Sequence, residues 1–187
     1  MNVGHVQLVT TVLWSLAVLT IFAQVVIVTL LASFLFPKQL TSVALFFGKH
    51  AFVLAFNVAL VATSGSLFMS DVAHFAPCIL CWFQRIFMYP QVVLLGVALW
   101  KKDTHIADYG IALSIIGGLI AIYHYLMQIG IIASGPCSAV GYSVSCTTNF
   151  FLYFGYISIP LMSLTAFLLM LFLLLAGKEF AKKSLKQ

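Results

Sequence analysis

The sequence predicts an all-α integral membrane protein, a four-helix transmembrane bundle preceded by one extra N-terminal helix. Three observations predict it. Of the 187 residues, 63% are hydrophobic and only 7% charged, whereas soluble domains carry about 25% charged residues. Apolar runs recur along the chain, each near the ~20 residues that cross a bilayer. Eight of the nine basic residues fall in segments that share one side when the spans alternate.

The elements follow in order. Residues 1–37 contain no Asp, Glu, Lys or Arg, and Leu8–Phe36 is long enough to cross with tilt. With no basic n-region and an over-long apolar part, this run is unlike a secretory signal and reads as a true helix. The second span is Ala51–Met69, followed by a short loop marked by Asp71, His74 and Pro77. The third span is Trp82–Trp100, and Lys101–Asp108 makes a tight polar turn. The fourth span is Tyr109–Ala133. Ser134–Asn149, rich in Gly, Ser, Thr and Pro, reads as loop. The fifth span is Tyr156–Ala176, ahead of a basic tail. The chain thus divides into an additional helix (1–37), a four-helix domain (38–177) and a basic tail (178–187).

Lys38, Lys49, Lys101, Lys102, Lys178, Lys182, Lys183 and Lys186 lie on one side, which the positive-inside rule makes cytoplasmic. The net charge of +5 therefore marks topology. With no basic stripe or interleaved aromatic pattern, it gives no sign of nucleic-acid binding. The two loops left outside hold all four cysteines, Cys78, Cys81, Cys137 and Cys146. Disulfides persist in such a compartment.

Cys78 and Cys81 form a C-x-x-C at the start of an apolar helix. Free N–H groups and the positive dipole end there favour a thiolate. Arg85, four residues past Cys81, shares its helix face. It is the one basic residue off the cytoplasmic side. It either snorkels to lipid head groups or serves the site, by favouring a thiolate or holding a polar head group. Cys137 and Cys146 flank eight residues. They are either a structural staple or a second redox pair able to exchange with the first through a mixed disulfide. The spacing of eight is loose for a zinc knuckle, so no metal is expected. His124 in the fourth span either makes an interhelical hydrogen bond or meets a quinone carbonyl.

The stretch Pro77–Pro90, PCILCWFQRIFMYP, resembles the signature of the DsbB-type disulfide bond formation proteins, in their BdbC-like branch. Leu80, Trp82, Gln84, Arg85, Tyr89 and Pro90 carry the likeness. Tyr123, His124 and Gln128, then Asn149, Phe154, Gly155 and Pro160, extend it over residues 50–176. The resemblance implies a thiol:quinone oxidoreductase of the bacterial inner membrane, with ubiquinone or menaquinone as cofactor. Its partner would be a DsbA-like thioredoxin-fold thiol oxidase. It further implies that electrons enter at Cys137–Cys146, with Cys137 meeting the partner, and pass to Cys78–Cys81. Cys81 would face the quinone, with Arg85 beside the quinone head and His124 nearby. Vitamin K epoxide reductase-like proteins also couple thiols to quinones, but their C-x-x-C comes late in the chain. A membrane scaffold stapled by inert disulfides is the non-enzymatic alternative. The helix before residue 38 and the short second cysteine loop depart from the usual family pattern.

Overall fold

The computed structural model describes residues 3–36, 39–133 and 144–184. Among the described residues, five helices are long and apolar enough to cross a membrane. They are α1 (Val3–Leu35), α2 (Thr41–Leu67), α3 (Ile79–Lys101), α4 (Ile106–Gln128) and α5 (Ile159–Ser184). Helices α2 to α5 form a ring in which each packs on its sequence neighbours and α5 closes on α2. α1 lies outside the ring, against α2 and α5. The protein is therefore a multi-pass membrane bundle with one added helix.

Packing inside the ring depends on small residues. Lipid tails are as apolar as leucine, so helices associate by close packing and hydrogen bonds. On α4 the buried positions include Ala107, Gly110, Ser114, Gly117, Ala121 and His124, a repeat of three and four that forms one seam. Phe167 of α5 lies over Gly117 so closely that a Cβ there would stand 2.3 Å from its ring. On α3, Gln84, Met88, Gln91, Leu95 and Ala98 repeat the pattern. Gln91 Oε1 accepts from Ser114 Oγ at 3.2 Å, tying the two seams together. His124 is thus buried by its register on the α4 seam. Large apolar side chains such as Val93, Leu119 and Phe22 stand exposed, as a surface solvated by lipid requires.

Three helix ends differ most from the sequence expectation, and one is the end of α5, which continues past Ala176 through Lys178 to Ser184. α2 begins at Thr41, ten residues before Ala51, and carries Lys49 and His50 on its exposed face. Charged side chains there need not end a helix, because their stems can lie along it while their heads reach water. α4 stops at Gln128, before Ala133, and Gly130 follows at φ +79°, a conformation that glycine adopts without strain. At the end of α2, Phe68–Val72 widens into a π turn, a feature frequent near functional sites.

Candidate functional site

The site begins where the chain turns from α2 into α3. Cys78 is the N-cap of α3, with extended backbone, and its Sγ accepts the Cys81 N–H at 3.4 Å. The two sulfurs are 2.9 Å apart. Burial of Cys78 follows from contact with Met127 and Cys146, which form one cluster with it. The hydrogen bond with Cys81, then burial, push the Cys78 thiol up to about 12.

The second cysteine loop reaches this point through an aromatic clamp. Phe75, ahead of the C-x-x-C, stacks on Phe150 with ring centroids 4.7 Å apart and also meets Phe151. Cys146 is thereby buried beside Cys78. Cys137 lies outside the described residues.

His124 joins the two loops. Its Nε2 is 3.1 Å from the Cys146 carbonyl and 3.6 Å from Cys78 Sγ. A carbonyl only accepts, so Nε2 carries the proton. Nδ1 then accepts from the Gln84 amide at 3.0 Å, which fixes the ring. The sulfurs of Cys78 and Cys81 and a ring nitrogen of His124 lie within 4.8 Å of one another. Such closeness serves either a metal ion or exchange between sulfurs.

Arg85 is placed on the other side of Cys81. Its Nε donates to Ser66 Oγ and its Nη2 to the Ser66 carbonyl, both at 3.0 Å. Tyr89 Oη donates to the same Ser66 Oγ at 3.1 Å. The guanidinium carbon is 5.0 Å from the Trp82 ring centroid. Two of the five N–H donors of arginine are used on Ser66.

Two hollows meet at this site. The larger is a cavity of about 510 Å³, with Cys81, Gln84, Arg85, Ser66 and Tyr89 at one end and apolar side chains along its length. That volume lies within the usual range for small-molecule sites, about 300–1,000 Å³. The smaller is a cleft lined by Cys78, Cys81, His124, Gln128 and Cys146. Cys81 belongs to both. His124 lines only the cleft, so its side chain meets the cysteines and the wall of the large cavity is built without it.

The sequence singled out Cys78, Cys81, Arg85, His124 and Cys146, and the structure brings these five together. It adds Ser66, which fixes Arg85, and Gln84, which fixes His124. Gln84 and Tyr89 stand in the motif around Cys81 and were readable there. A serine in an apolar span gives no such signal. His74 turns away to stack on His5 of α1.

Comparison with known proteins gives the family. The family model described as disulfide bond formation protein DsbB matches residues 48–177. This chain belongs to the DsbB family. It is 42% identical over 120 residues to the probable disulfide formation protein C of Bacillus cereus, covering 64% of this chain and 86% of that one. It is 43% identical over 151 residues to a probable disulfide formation protein of Oceanobacillus iheyensis, covering 79% and 99%. It is also 43% identical over 116 residues to the disulfide bond formation protein C of Bacillus subtilis, covering 61% and 82%. No solved structure matches the chain. Membership in the family gives this DsbB-family protein a role in disulfide bond formation.

Proposed function

We propose that this DsbB-family protein is a thiol:quinone oxidoreductase that reoxidises a DsbA-like thioredoxin-fold thiol oxidase. One observation carries the reading: of the three cysteines among the described residues, Cys81 lines both the cleft shared with Cys78 and Cys146 and the large apolar cavity, and the other two line the cleft alone. A sulfur in that position links exchange among cysteines to an apolar electron acceptor.

The residues fit a quinone, ubiquinone or menaquinone. A ring with two carbonyls needs donors at one end of a hydrocarbon-lined space, and Arg85, Ser66 and Tyr89 stand there beside Cys81. A bound quinone supplies the capacity to take two electrons and two protons. Arg85 orients the head and favours negative charge nearby, held in place by Ser66 and by the Trp82 ring. The apolar lining excludes water and competing thiols.

The cysteine steps are ordinary exchange. The reduced partner attacks the Cys137–Cys146 disulfide, leaves oxidised, and leaves two thiols on this chain. Cys146 is 2% exposed, and the family resemblance gives contact with the soluble partner to Cys137. Cys146, held beside Cys78 through His124, passes the electron pair to the Cys78–Cys81 disulfide. His124 is a positioning residue in this step, holding Cys146 through its carbonyl beside the Cys78 sulfur. The thiol of Cys78 keeps its proton while Cys81 reacts toward the cavity. The lysine distribution supports an orientation with the cysteine end outside the cytoplasmic membrane and the C-terminus inside.

Purified protein supplied with dithiothreitol and a soluble quinone tests the reading. Loss of quinone absorbance that disappears in Cys81→Ser supports it. Equal rates for both proteins reject it.

A further inference from the structure

The family match begins at residue 48, so it leaves α1 without a task. Yet α1 is seated specifically. The Gln24 amide donates to Thr165 Oγ1 at 3.5 Å, and its carbonyl oxygen accepts from Tyr156 Oη at 3.0 Å. His5 Nε2 donates to the Val72 carbonyl at 3.0 Å. Leu16 packs into the space over Gly65, where a Cβ would stand 3.2 Å from its Cδ1. Lipid offers an apolar helix as good a hydrophobic environment as a neighbouring helix does. Polar bonds and close fit therefore fix this position.

The same helix walls the large cavity. Leu16, Thr20, Ala23 and Val26 line it, at the three- and four-residue spacing of one helical stripe. Along α2 the lining runs from Ser66 to Phe46, about 30 Å of helix at 1.5 Å per residue. The polar residues on the way present little polarity. Thr20, Asn57 and Thr165 donate to carbonyls of their own helices, those of Leu16, Val53 and Leu161. The cavity is thus long and hydrocarbon-lined, and its cluster of unlike groups sits at the Cys81 end.

We propose that α1 is the outer wall of a channel for the isoprenoid tail of the quinone, and that Thr20, Ala23 and Val26 set how much tail the site accepts. The proposal rests on the quinone reading above. The shape names the occupant. A single extended hydrocarbon chain fits a passage continuous with a head-group site beside Cys81 and Arg85. A phospholipid would bring two chains and a phosphate. Because lipid is equally apolar, the channel gains no affinity from hydrophobicity as such. It aligns the tail so that the head arrives in register with Cys81.

The test uses the full-length protein in detergent and two quinones with the same head, one without a tail and one with a polyprenyl tail. Binding is followed by quenching of tryptophan fluorescence, and a tailed quinone bearing a photoreactive diazirine maps its contacts. Ala23→Phe places a ring in the channel. Val18→Phe adds the same ring on the exposed face of α1. Ala23→Phe is expected to weaken binding of the tailed quinone at least tenfold and to leave the tail-less one unchanged. Val18→Phe is expected to change neither, and the photolabel is expected within residues 16–26. If Ala23→Phe leaves tailed binding unchanged while the tail-less quinone binds, the channel is refuted and the quinone reading stands. If the unaltered protein binds neither quinone, both are refuted. Should Ala23→Phe fail to fold, the photolabel decides. Label on α1 supports the channel, and label only on detergent, lipid or other helices overturns it.

Discussion

Replacing His124 with alanine separates the step at the cysteines from the step at the quinone. The substitution removes a buried ring whose two nitrogens meet the Gln84 amide, the Cys146 carbonyl and Cys78 Sγ at 3.0, 3.1 and 3.6 Å. A buried polar group that loses its partner costs about 1–3 kcal/mol. A loss of about 1–3 kcal/mol in the alignment of Cys146 with Cys78 corresponds to about 5- to 150-fold in rate. The assay is rapid mixing of fully reduced protein with excess quinone. The first quinone equivalent draws on Cys78 and Cys81 alone. The second requires electrons to cross from Cys137 and Cys146. His124→Ala is expected to slow the second phase by that factor and to spare the first. Equal slowing of both phases would place His124 at the quinone and refute the positioning argument. So would two unchanged phases.

Other outcomes follow from the same geometry. Arg85→Lys keeps the charge but loses the fork that grips Ser66. It should raise the quinone KM about tenfold while thermal unfolding in detergent stays near that of the parent. Gly117→Ala drives a methyl into the Phe167 ring and should destabilise the bundle by about 1–3 kcal/mol, with Phe167→Leu in the same chain restoring part of the loss. The raised Cys78 thiol, at about 12, holds its proton at all pH values well below that. In reduced protein at pH 8, Cys78 should therefore resist iodoacetamide. Cys81→Ala removes the hydrogen bond that contributes most to the rise. It should lower the Cys78 pKa, increase its thiolate fraction and speed its alkylation, as read by peptide mass spectrometry.

Much of the fold was legible because lipid imposes it. The apolar runs marked all five helices. Their ends were harder to read. Lys49 and His50 suggested a loop, but exposed polar side chains are tolerated in the interfacial turns of α2. The end of α4 depended on one glycine at positive φ. The C-x-x-C and Arg85 were legible from spacing, since four residues on a helix bring side chains to one face. That His124 would face a neighbour in the bundle was legible from its place in an apolar span, and the seam of small residues on α4 is what buries it. Its neighbours were not legible, because contact with the Cys146 carbonyl arises from the loop clamped by Phe75 and Phe150, residues 75 positions apart. Ser66 escaped for a similar reason. A back-bonded serine and one that holds an arginine look alike in a sequence. Cys137, assigned to partner contact from the family resemblance, lies outside the described residues.

The central claim is that electrons from a thioredoxin-fold partner cross both cysteine pairs to reach a quinone. Its most direct test mixes the detergent-purified protein with a reduced thioredoxin-fold oxidase and a soluble quinone, following quinone absorbance and partner thiols together. Two partner thiols should be oxidised for each quinone reduced, with turnover abolished by serine at any one of the four cysteines. Undiminished turnover without Cys137 or Cys146, or partner oxidation with no loss of quinone, would contradict it.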